Sequence, residues 1–187
     1  MAGGRIAAVK TSLQIMLRSL PSHNTKFNII SFGSHHNSLW PGSQEYSEET
    51  VAEASRHIDT FAANYGGTEL RAALGFVFKS RLAVNDLSSS ESPPTSILIL
   101  TDGEAWDLQG VVELVTENVE TAKTEGKLLR TFVLGIGNQV SMAMCEGIAR
   151  AGKGTAVFVP VCIFPLIPSG YLTSECRRRE KSPMRNS

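Results

Sequence analysis

Two short stretches carry the residues best suited to chemistry. "ILILTDGE" runs four apolar residues into Thr101 and Asp102, and Gly103 then opens a turn. "YGGTEL" sets Thr68 behind two glycines, at or just before a helix start. A buried parallel strand often ends in the first way, and α/β proteins place ligands at the carboxyl ends of such strands. Asp102 could therefore hold a metal, a phosphate ester or a hydrolytic water, or simply brace the following helix. A hydroxyl and a carboxylate on neighbouring loops are hard oxygen ligands, suited to Mg²⁺ or Mn²⁺ rather than to zinc. Taken singly, each residue has a plainer role: Thr68 as a helix N-cap and Asp102 as a turn-stabilising side chain. Their joint placement in one α/β frame favours the ligand reading.

The elements that must position them follow from periodicity. Ile6, Val9, Leu13, Met16, Leu17 and Leu20 recur at helical spacing, predicting a helix over 4–20 that ends at Pro21. "KFNIISFG" predicts a strand over 26–32, and "SLWPG" a short edge strand, because Pro41 cannot sit in a central one. Ser47 starts a second helix running to about residue 62. A third begins near Glu69, with Leu70, Leu74, Val77, Phe78 and Leu82 on one side. "NDLSSSESPPTS" is a polar loop. The strand 96–101 follows, then a helix over 108–124, which Glu104 is expected to cap. "LLRTFVLGIG" is a further buried strand, 141–151 a short helix closed by Gly152 as its terminator, and "TAVFVP" the last strand. Strand and helix alternate throughout. The fold class is α/β, three-layer and doubly wound, with a mainly parallel sheet.

Length and composition set the bounds. At 187 residues, 42% hydrophobic and 19% charged, this is one domain of ordinary globular make-up. The formal charge of zero is unevenly spread: residues 161–187 hold five basic against two acidic side chains. The eighteen basic and eighteen acidic residues therefore leave thirteen and sixteen in residues 1–160, a net of −3. Such a body gives no general pull on nucleic acid, and none is expected as a partner. Residues 161–187 read as an unstructured basic tail. Cys145, Cys162 and Cys176 form no CxxC pair and suit a reducing, cytoplasmic compartment. The basic amino terminus, with Arg5, Lys10, Arg18 and Lys26, resembles a mitochondrial presequence but reads better as a helix with a solvated basic face. No apolar run reaches the ~20 residues that span a bilayer.

Enzyme motifs are missing from the sequence. "GIARAGKGT" fails as a P-loop, since glycine follows its lysine, and "LGIGNQV" lacks the third glycine of a dinucleotide fingerprint. There is no GxSxG elbow. His23, His35, His36 and His57 fall in loops or on helix surfaces. A metal-dependent phosphoester hydrolase of α/β fold stands as the alternative to a non-enzymatic binding module.

The order "MAGGRI", "FNIISFG", "YGGTEL", "ILILTDGE" and "TFVLGIG" resembles a von Willebrand factor type A (vWA) domain over residues 1 to about 160. "TDGEAW" and "YGGTEL" look most like the branch that follows a VIT domain in large multidomain proteins. The resemblance implies a protein-interaction module with a metal-ion-dependent adhesion site. In the family that site is built from an Asp-x-Ser-x-Ser loop, a threonine loop and an aspartate loop. The threonine would be Thr68 and the aspartate Asp102. The ion would be Mg²⁺ or Mn²⁺, and the partner, another protein or a domain of the parent protein, would offer an acidic side chain. The Asp-x-Ser-x-Ser loop would follow a first central strand and lead into the "M-x-G-x-R" where this sequence begins. The expectation is thus of an amino-terminally truncated domain. It would lack that strand and three of the five protein ligands, keep a residual, incomplete site, and fold poorly alone.

Overall fold

In a computed structural model, residues 4–61, 69–83, 94–103, 107–137 and 140–159 are described. The elements are α1 (Gly4–Ser19), β1 (Lys26–Phe27), β2 (Ile30–Phe32), β3 (His36–Ser38), β4 (Gln44–Glu45) and α2 (Glu48–Asp59). They continue with α3 (Leu70–Ala83), β5 (Thr95–Thr101), α4 (Leu108–Thr124), β6 (Leu129–Ile136), α5 (Met142–Ala151) and β7 (Ala156–Val159). The α/β class holds. β5, β6 and β7 form a parallel sheet in that order, with Thr95 opposite Leu129 at one end and Thr101 opposite Gly135 at the other.

The amino-terminal half departs from the expected single strand over 26–32. Asn28 interrupts it. Its Oδ1 accepts from the amides of Ile29 (2.8 Å) and Trp40 (3.3 Å), and its Nδ2 donates to Ser38 Oγ and to the Trp40 carbonyl, both at 3.0 Å. A side chain that serves this many local groups competes with the ladder. Two fragments remain, each in an antiparallel pair: β1 with β4, and β2 with β3. The edge strand expected at "SLWPG" lies earlier, at His36–Ser38. Among the described residues, β2 and β5 each have one edge with no strand partner.

Two cores follow from this division. One gathers Leu70, Leu74 and Phe78 of α3, Val111 and Val115 of α4, Met144 and Ile148 of α5, and Ile99 and Val133 of the sheet. The other gathers Leu17, Trp40, Ala54 and Ile58 between α1, α2 and the β1–β4 segment. Phe32 of β2 packs against the first core, so β2 touches both halves' structure although it pairs only with β3.

Helix ends draw on both local and distant partners. Ser47 and Thr50 form a reciprocal capping box on α2. The basic face of α1 is partly used: Lys10 Nζ donates 2.7 Å to the Asp59 carbonyl at the end of α2, where a cation meets the negative pole of the helix. Gln14 adds a reciprocal pair with Ser55, at 3.1 and 2.9 Å. α5 stops at Gly152 as expected, but for a different reason. Gly152 has φ −79, and the left-handed residue is Lys153 (φ 53). Glycine is needed there for space, since a Cβ would lie 2.3 Å from Thr131 Cβ.

Candidate functional site at the carboxyl ends of the strands

Asp102 stands immediately beyond the last residue of β5 and is half-buried. Thr101, in register with Gly135 of β6, is 2% exposed and turns its hydroxyl to the Gly103 amide at 3.4 Å. The aspartate is thus carried by a strand whose last position is fixed, as the apolar run into "TDG" predicted.

Thr68 lies outside the described residues, so its predicted proximity to Asp102 is not tested. The next residue is described. The Glu69 amide donates 2.8 Å to the Gly33 carbonyl, which ties the start of α3 to the loop after β2. A second tie runs from α3 to the segment after Asp102: Arg71 Nη1 meets Asp107 Oδ2 at 2.9 Å. The other oxygen of Asp107 accepts from the Gly110 amide at 2.9 Å, capping α4. This corrects the assignment of Glu104, which lies outside the described residues; the α4 cap is Asp107. Arg71 and Asp107 were both missed. "TDGEAWDL" holds three carboxylates able to cap, and a partner 36 residues away leaves no local sign.

Among the described residues no three His, Cys, Asp or Glu side chains gather in a way that could hold a metal. Mg²⁺ demands about six oxygens in near-octahedral order and is held weakly unless charge is supplied. Of the two predicted ligands only Asp102 is among the described residues, and a single carboxylate does not by itself supply what Mg²⁺ demands. The histidines do not form a site either. His36 packs its ring on Phe76 (5.0 Å) and His57 on Phe61 (5.1 Å), both in aromatic contacts. Cys145 is fully buried, and burial pushes its thiol above the ordinary range, with a smaller push from Glu146 and an opposing backbone hydrogen bond. Its burial also shields the thiol from solvent.

A helix-flanked parallel sheet with an aspartate at a strand end is common to several α/β families; comparison with known proteins decides between them. The family model described as "von Willebrand factor type A domain" matches residues 1–158. The chain belongs to the von Willebrand factor type A family. It is 35% identical over 155 residues to von Willebrand factor A domain-containing protein 5A of Mus musculus, with 83% of this chain and 18% of that protein covered. It is 36% identical over 156 residues to a von Willebrand factor A domain-containing protein of Dictyostelium discoideum, covering 82% and 15%. The chain thus spans less than a fifth of the length of these relatives. Among solved structures, BatB from Bacteroides thetaiotaomicron superposes with a TM-score of 0.64 at 20% identity, over 83% of this chain and 80% of that one. Proximal thread matrix protein 1 from the mussel byssus, in a form described as having a zinc-occupied MIDAS motif, gives 0.58 at 16% identity, over 83% and 39%. These two likenesses speak for the fold. vWA domains are protein-interaction modules and in general not enzymes. No described helix is long and apolar enough to cross a membrane.

Proposed function

We propose that this vWA domain is a non-enzymatic binding module of the VIT-associated branch, whose rim at Asp102 recognises an acidic side chain of another protein, or of another domain of its parent, through a divalent ion where the full ligand set is present. The observation behind it is the family match over 1–158 together with Asp102 seated at the carboxyl end of a buried strand. Thr68 and Asp102 then mark a residual, incomplete adhesion site, and the ion would be Mg²⁺ or Mn²⁺ where the full ligand set is present. On this reading residues 1–160 are the domain and 161–187, which lie outside the described residues, a basic tail; a cytoplasmic setting suits cysteines without a disulfide framework. The alternative, a metal-dependent phosphoester hydrolase, gains no support from the described residues.

Calorimetric titration of Mg²⁺ into the chain tests the site. The expected result is no micromolar binding, with Asp102→Ala indistinguishable from the parent. A micromolar site lost in Asp102→Ala would overturn the incomplete-site reading. Turnover of p-nitrophenyl phosphate that depends on both Mg²⁺ and Asp102 would overturn the non-enzymatic one.

A further inference from the structure

At the opposite rim of the sheet a groove of about 190 Å³ lies between the end of α4, the start of β6 and the turn after α5. The β6 ladder begins there, at Leu129, six residues before the Gly135 register position beside Thr101. At about 3.3 Å per residue this is roughly 20 Å from the Asp102 rim. The groove is independent of the proposed adhesion site.

Its composition is two-sided. Val119 and Leu129 (5% and 3% exposed) form an apolar floor, and Leu128 stands beside them, 51% exposed. Around them are four cations, Lys123, Lys127, Arg130 and Lys153. Among the described residues, two carboxylates form ion pairs with this group. Glu120 lies 3.9 Å from both Lys123 and Lys153, and Glu125 lies 3.0 Å from Lys127. Counting these six side chains, the groove has a surplus of two positive charges.

Leu128 is not on a loose loop. Its carbonyl accepts from the Thr95 amide at 2.8 Å, and the preceding turn is closed by Lys127 N–H to the Ala122 carbonyl, also at 2.8 Å. Lysines near helix carboxyl ends have an ordinary use, offsetting the negative pole of α4 and α5. That use does not account for a fixed, outward leucine among them, nor for Arg130 on β6. A bare phosphate would satisfy the rim and leave the apolar floor wet, while a neutral apolar group would leave the charges unmatched. We infer that this groove docks an acidic protein segment carrying a large apolar side chain, the apolar group covering Leu128 and its carboxylates meeting Lys123, Lys153 and Arg130. Charge complementarity and a desolvated apolar centre are the usual parts of such a contact.

The test uses the full 187-residue chain and the fluorescein-labelled peptide Glu-Glu-Asp-Leu-Leu-Asp-Glu-Glu, read by anisotropy at low salt. Saturable binding is expected, weakened about tenfold by the double charge reversal Lys123→Glu with Lys153→Glu. Leu128→Ser is expected to weaken it about threefold, and so is serine in place of both peptide leucines. Circular dichroism should show the variants folded, since the altered side chains are exposed. Lys79→Glu on α3, remote in sequence from the groove, should leave binding unchanged. Absence of binding, equal binding by the charge-reversed chain, or equal binding of the serine peptide would overturn the proposal. Displacement of the peptide by inorganic phosphate at equal charge would overturn it too, by showing a site for anions alone.

Discussion

The two halves of this domain solve the same problem with unequal means. From α3 onward, strands of seven, eight and four residues lie in a continuous parallel ladder, and three helices cover one core. Before α3, four strands of two or three residues make two separate antiparallel pairs, and α1 and α2 close a smaller core against them. The first region is held by regular backbone pairing. The second is held by side chains acting on backbone, with Asn28 at the centre. The lesson is that a strand's apolar content does not by itself secure a ladder; it needs a partner along each edge. β5 shows this within the better half. Its sequence is that of a central strand, yet one edge has no strand partner among the described residues, and Leu98 is 37% exposed. Such an edge invites pairing with another chain.

The largest expected effect probes the regular half. A Cβ on Gly154 would lie 2.1 Å from the Thr131 carbonyl oxygen and 2.8 Å from its carbon, and backbone held in a ladder cannot yield. Gly154→Ala should therefore destabilise by about 3 kcal/mol or more, as severe overpacking does. Urea denaturation followed by circular dichroism measures it, and a loss under about 1 kcal/mol would show that this junction is softer than the comparison holds.

Asn28→Ala probes the other half. It removes acceptors from the Ile29 and Trp40 amides and a donor to the Trp40 carbonyl in a partly buried setting. A loss of about 2 kcal/mol is expected, given roughly 1 kcal/mol per hydrogen bond and the cost of leaving backbone groups unpaired. Hydrogen exchange should place the damage at residues 28–40 and leave β6 amides protected. If β6 exchange rises equally, the halves are one cooperative unit and the contrast is wrong.

These two sites also show what sequence could and could not convey. The regular half was legible because its signals are local. Continuous apolar runs ending at a glycine turn mark strands, and Asp102 follows from such a run. The spans of α4 and α5 fell within a residue of where spacing put them. The glycine after α5 was found, but its cause was not: the clash with Thr131 lies across the fold, and the left-handed conformation belongs to Lys153. In the other half the one sign was a polar Asn28 inside an apolar run, read as part of a strand. Nothing nearby in sequence shows that it meets Trp40. At the candidate site, Asp102 was legible for the same local reason, whereas Arg71 and Asp107 become neighbours only through the packing of α3 on α4.

The smallest effects concern the seam itself, because α3 packs on β2 on one side and on α4 on the other. Arg71 and Asp107 lie on that seam, and one carboxylate does two things there. Oδ1 caps α4 while Oδ2 meets the guanidinium. Asp107→Ala should cost about 1 kcal/mol, the usual loss for a helix cap. Arg71→Ala removes only the ion pair, whose side chains are 59% and 49% exposed, so solvent screening holds its worth to about 0.2–1 kcal/mol. The pair's value is separable by salt: at about 1 M the Debye length falls to roughly 3 Å. Raising NaCl to that level should bring Arg71→Ala to parity with the parent while the deficit of Asp107→Ala persists. A double-mutant cycle on thermal stability measures the coupling, and a value above about 1 kcal/mol at low salt would mean that this seam is a structural joint rather than a surface contact.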